Sequence, residues 1–189
     1  MSTPASVSTT APTNAALQRA SIVAVIAAVL FFVHISLYFT PFVSVLHDTV
    51  RTIYYIELDA LLGVIEHLML FQVIAALPAP QWAKQAGYGW LVIDMATNIM
   101  QLGGVPAALP LRYGGHIAAA VWAAAASWQA RGALRVVGVI YAIDLALYSF
   151  IWPFSRLSFL VLLPSLVLLP VWLLLVAGEI RRMRGQLVS

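Results

Sequence analysis

Five of the seven acidic residues of this chain, Glu57, Asp59, Glu66, Asp94 and Asp144, fall inside long apolar stretches. The ten Lys and Arg residues fall between those stretches. A carboxylate near the middle of a bilayer costs a few kcal/mol on insertion scales, so each must face something other than lipid. Glu66 is the centre of the pattern, in Ile53–Leu77, IYYIELDALLGVIEHLMLFQVIAAL. With no Lys or Arg expected in the same layer, its carboxyl must be protonated, solvated, bound to a cation, or hydrogen-bonded by neutral partners. A carboxyl so placed suits proton exchange and the binding of small polar solutes.

Helical spacing gathers further polar residues. Asp59, Gly63 and Glu66 share one face, as do Asp94, Asn98 and Gln101, and also Tyr141, Asp144 and Tyr148. His34 and Tyr38 are one turn apart. At 1.5 Å per residue, Glu66, Asn98 and Asp144 come out at similar depths, about 15–16 Å from one membrane face, with His34 at about 21 Å. The candidate solute- or proton-binding residues are therefore Glu66, Asp144, Asn98, His34, Asp94 and Tyr141. Glu66 and His67 point about 100° apart and are not expected to share a ligand.

Plainer readings apply to several of these. Glu57 and Asp59 lie near the end of their stretch, within reach of water or Arg51. Asp94, Asn98 and Gln101 would also serve as hydrogen bonds between helices. His116 reads as an interfacial residue. His34, Glu66 and Asp144 offer a mixed N/O metal set, and His34 with His67 a haem pair, but no motif backs either, so no metal or cofactor is assigned. The HExxH, Walker and GxSxG motifs are all missing. With no cysteine, thiol and iron–sulfur chemistry are excluded.

The elements that must position these residues follow from composition. Hydrophobic residues make up 62% of the 189 and charged ones 9%, too few to furnish a water-exposed surface. The expected fold class is all-α: a polytopic membrane protein, a bundle of six transmembrane helices near 20–40, 53–77, 88–109, 116–130, 136–152 and 157–177. Residues 1–18 read as a disordered tail without a charged side chain, 19–180 as the transmembrane domain, and 181–189 as a short basic tail. Pro164 and Pro170 should kink the last helix, and AAAVWAAAA in the fourth suits close packing.

Six spans divide the bases unevenly. Arg19, Lys84, Arg131, Arg135, Arg181, Arg182 and Arg184 gather on one side, Arg51, Arg112 and Arg156 on the other. Lys and Arg favour the cytoplasm, so both termini are expected there and the chain in the cell membrane. The net charge of +3 sets topology and gives no reason to expect nucleic acid. The expected partners are the bilayer, a small-molecule or lipid ligand, and a partner subunit or second copy. The leading expectation is the binding or transport of a small solute or proton. The rivals are an intramembrane enzyme acting on a lipid or isoprenoid, and an accessory subunit of a membrane complex.

Overall fold

The computed structural model describes residues 12–39, 58–151 and 158–187. Everything described is helix or a short connection. The six helices are α1 (Asn14–Phe39), α2 (Asp59–Ala76), α3 (Gln81–Leu102), α4 (Ala108–Trp128), α5 (Ala133–Ile151) and α6 (Ser158–Gln186). Glu57, Arg51, Trp152 and Arg156, and the side chains of Tyr38 and Asp59, lie outside the described residues.

Local chemistry explains the boundaries. Pro78 and Pro80 cannot continue α2. Pro80 is extended, and its carbonyl accepts from Ala83 N and Lys84 N at 3.0 and 3.1 Å, which starts α3. Lys84 Nζ then reaches back to Ala75 O at 2.8 Å and caps the preceding helix. Gly104 and Gly132 carry φ of 65° and 61° in the two tight turns, a conformation that glycine adopts without strain.

Several expected boundaries move, among them those of α3, which runs over Gln81–Leu102 rather than 88–109. α1 begins at Asn14, inside the stretch read as a tail, and α6 runs on to Gln186 through the basic end. The larger change is at α4, which starts at Ala108 rather than His116. Pro110 looks like a turn residue in PLRYGG, but it stands in the first helical turn, where an N–H has no intrahelical partner to lose. Arg112 therefore belongs to a helix and not to a loop.

Each helix packs against its neighbours in sequence, and α1 packs against α6, which closes a ring. Small residues permit the α1–α6 seam. Ala20, Ala24, Ala27 and Ala28 are buried, Ser21 Oγ donates to Ala177 O at 3.1 Å, and Arg181 Nε donates to Ser21 Oγ at 2.9 Å. The half of the ring where α1 starts and α6 ends is filled by Leu70, Val73, Ile74, Trp122, Trp172, Leu173, Val176 and Ile180. The other half is not filled.

α1, α5 and α6 are long and apolar enough to cross a membrane, while α2 has a shorter apolar stretch, Ala60–Ala76. All six helices nonetheless turn large apolar side chains outward. Examples are Phe32 on α1, Leu61 and Leu68 on α2, Val92 and Ile99 on α3, Leu111 on α4, Ile143 on α5 and Val167 on α6.

Candidate functional site

The unfilled half of the ring holds a cavity of about 630 Å³ lined from all six helices. Its floor is aromatic. Trp90 stacks on Trp122 at 6.0 Å between ring centres, Trp122 meets Trp172 edge-on at 5.1 Å, and Tyr141 lies 5.7 Å from Trp172. Such pairs tie α3, α4, α5 and α6 together beneath the space. Phe31, Ile35, Leu109, Leu145, Leu162, Leu166 and Leu169 form apolar walls.

The polar wall is built around Asp94. One carboxylate oxygen, Oδ2, accepts from Trp90 Nε1 at 2.9 Å and faces His67 Nε2 at 3.0 Å and His116 Nε2 at 3.2 Å. The other, Oδ1, is buried with no hydrogen-bond partner among the described residues. His67 sits between two acceptors, because its Nδ1 is 2.6 Å from Gly63 O, the carbonyl one turn back. A carbonyl only accepts, so Nδ1 carries a hydrogen. Neutral imidazole then has none left for Asp94. A proton must lie between His67 and Asp94, as imidazolium with carboxylate or imidazole with carboxyl. His116 adds a second imidazole to the same oxygen, and its Nδ1 is buried without a partner.

Glu66 and His67 are adjacent yet serve different networks, as their 100° separation requires. Glu66 turns to α1, where His34 Nδ1 is 3.2 Å from both carboxylate oxygens. His67 turns to α3. Two carboxylates are thus each shared with imidazole, on faces of α2 about 100° apart.

Arg112 completes the wall. Its Nη1 donates to Asn98 Oδ1 at 2.9 Å, while its Nε stays 4.0 Å from Asp94 Oδ2. That bond fixes the Asn98 amide and turns Nδ2 over Gly63, where an added Cβ would come within 2.6 Å of it. Gly115 makes similar room one turn after Arg112, since a Cβ there would lie 2.8 Å from Ile93.

Of the candidates, Glu66, His34, Asp94, Asn98 and Tyr141 line the cavity. Asp144 does not. It accepts from Ser165 Oγ at the α5–α6 contact. The helix period gives the reason, because Asp144 lies about 60° off the Tyr141 direction, whereas Leu145 and Tyr148 lie within about 40° of it. Leu145 therefore takes the inward position. A metal set of His34, Glu66 and Asp144 is not assembled, and no three such groups converge as metal ligands among the described residues. His67 has both ring nitrogens engaged, which speaks against a haem pair with His34.

Arg112, His116, His67 and Trp90 were not among the expected site residues. Arg112 and His116 are four apart, a helical signal hidden by reading PLRYGG as a turn. His67 carries its own signal, a glycine four residues earlier whose carbonyl it bonds. Trp90 stands four residues before Asp94, the spacing that brings its N–H onto that carboxylate.

No protein-family model, curated protein or solved structure matches this chain.

Proposed function

We propose that all six helices cross the membrane and that the ring binds or moves a small solute or proton at the polar wall. The inside-out distribution of side chains supports the six-span reading. Carboxylates, imidazoles and a guanidinium face inward, and every helix turns apolar residues outward, an arrangement suited to lipid rather than water. α3 and α4 are 22 and 21 residues long, enough to span, and among the residues that lower their hydropathy Asp94, Asn98, Gln101, Arg112 and His116 are lent to the cavity. With Arg112 inside the ring, the outer side keeps only Arg51 and Arg156 against seven bases inside, which supports cytoplasmic termini in a cell membrane.

The single observation that carries the functional reading is the cavity in which Glu66 and Asp94 are each shared with imidazole. Groups in that geometry exchange a proton without moving far, and the surrounding space admits a solute. A bundle whose polar groups only glued helices would have no need of a cavity of this size. An enzyme using the His67–Asp94–His116 cluster as acid and base would occupy the same space, but would release its ligand chemically changed.

The test is proton flux into liposomes holding the purified protein and a trapped pH dye, driven by a potassium-set potential. Wild type is expected to acidify the lumen faster than protein-free vesicles, with Glu66→Gln and Asp94→Asn falling to the vesicle rate. Asp144→Asn, outside the cavity, should stay near wild type. A wild-type rate equal to that of empty vesicles removes the proton-moving reading, and wild-type rates in both cavity variants remove the assignment to these carboxylates.

A further inference from the structure

Among the described residues the ion pair that Arg112 makes is a long one, Nε to Asp94 Oδ2 at 4.0 Å. The close contacts of the cavity carboxylates go elsewhere: both Glu66 oxygens face His34, Asp94 Oδ2 faces Trp90, His67 and His116, and Asp94 Oδ1 is buried with no hydrogen-bond partner among the described residues. An oxygen with three close nitrogen neighbours leaves little room for a fourth, and the 4.0 Å from Arg112 Nε exceeds the roughly 2.7–2.9 Å of a charge-assisted hydrogen bond. The hydrogen bond that Arg112 makes among the described residues is to a neutral amide, Asn98 Oδ1. Its remaining N–H donors border a cavity whose other walls are mostly leucine and aromatic rings. A guanidinium with only a long ion pair in such surroundings is poorly compensated, and a planar fork of donors fits a carboxylate or phosphate group.

We infer that the cavity takes an amphiphile with an oxyanion head, carboxylate or phosphate, held by the Arg112 guanidinium with its apolar body against the leucine wall. The inference rests on the cavity's being the ligand site. Binding supplies a counter-charge at hydrogen-bond distance, and the volume lies in the range of pockets that enclose drug-sized molecules. Asn98 positions the guanidinium, so it acts on the head through Arg112.

The test uses full-length protein in nanodiscs of zwitterionic lipid. The probe is 11-(dansylamino)undecanoate, read by energy transfer from tryptophan. Octanoate and octyl phosphate compete, and octanol matches the body without the head. Octanoate and octyl phosphate are expected to displace the probe at concentrations roughly tenfold or more below octanol, in keeping with a charge-assisted hydrogen bond. Arg112→Gln should abolish that preference and Arg112→Lys retain part of it. Because Arg112→Gln risks misfolding, the comparison of head groups on wild type stands by itself.

Equal displacement by octanol and octanoate overturns the headgroup assignment and leaves the cavity reading intact. No specific probe binding to wild type removes both. Displacement by acetate or inorganic phosphate as effective as by octanoate overturns the amphiphile and makes the site one for a free anion. An unchanged preference in folded Arg112→Gln overturns the role of Arg112.

Discussion

At the scale of single residues, the site turns on one shared carboxylate oxygen. Asp94 Oδ2 serves Trp90, His67 and His116 together, so the cost of losing it falls on all three. Asp94→Ala should destabilise the fold by about 3–5 kcal/mol, because it strands the buried Trp90 and His67. Asp94→Asn, which keeps the shape and one carbonyl oxygen, should cost less. Unfolding titrations in mild detergent would measure both, and an Asp94→Ala protein as stable as wild type would contradict this account. Gly63 bears on the same network from the other side. Gly63→Ala puts a methyl against Asn98 Nδ2 and also stiffens the turn whose carbonyl holds His67. A loss of about 1–3 kcal/mol is expected from the forced shift, together with a weakened preference for anionic heads as the Asn98–Arg112 bond is displaced. The head-group competition assay on that variant would show it.

At the scale of elements, α4 is the helix on which the arrangement turns. Its first turns carry Arg112 and His116, and its later turns carry the alanines that let it approach α3 and α5. Ala123 and Ala126 are buried, whereas Val121 is exposed. Ala123→Leu and Ala126→Leu should each destabilise by about 1–3 kcal/mol through overpacking, and Val121→Leu should be close to neutral. Thermal unfolding of the three variants distinguishes a packed alanine seam from a merely helix-forming run, since equal melting temperatures would rule the seam out. On α5, Gly138 has the same role in sharper form. A Cβ there would lie 2.6 Å from Trp172 Nε1 and overlap Ser127, so α5 can approach the α4–α6 hydrogen bond from Trp172 to Ser127 only without a side chain.

At the scale of the whole molecule, the ring is filled at one end and hollow at the other. Alanine seams, the tryptophan floor and the Arg181–Ser21–Ala177 link hold the filled end. If all six helices span, Val105 and Ser155 lie on one side of the membrane, and Ser2, Gln129 and Ser189 on the other. Single cysteines at these positions in the cysteine-free chain should react with an impermeant maleimide in two groups. Val105→Cys and Ser155→Cys should label in intact cells, and the other three only after lysis. Labelling of Ser2→Cys or Ser189→Cys in intact cells would refute the proposed topology.

Composition and helical period alone determined a good part of this protein. They marked an all-helical chain, apolar helices able to cross a membrane, and inward faces bearing Glu66, Asp94, Asn98, His34 and Tyr141, because a polar side chain among apolar neighbours must turn away from lipid whatever its partners are. Only the tertiary structure decided which of those faces meet. Asp144 missed the cavity by 60° of helix rotation, a difference smaller than the spacing rule resolves. Arg112 entered it because a proline that reads as a turn is harmless in a first helical turn. Adjacent Glu66 and His67 parted to different imidazole and carboxylate partners on α1 and α3, and that choice depends on the order of helices around the ring, which no local pattern carries.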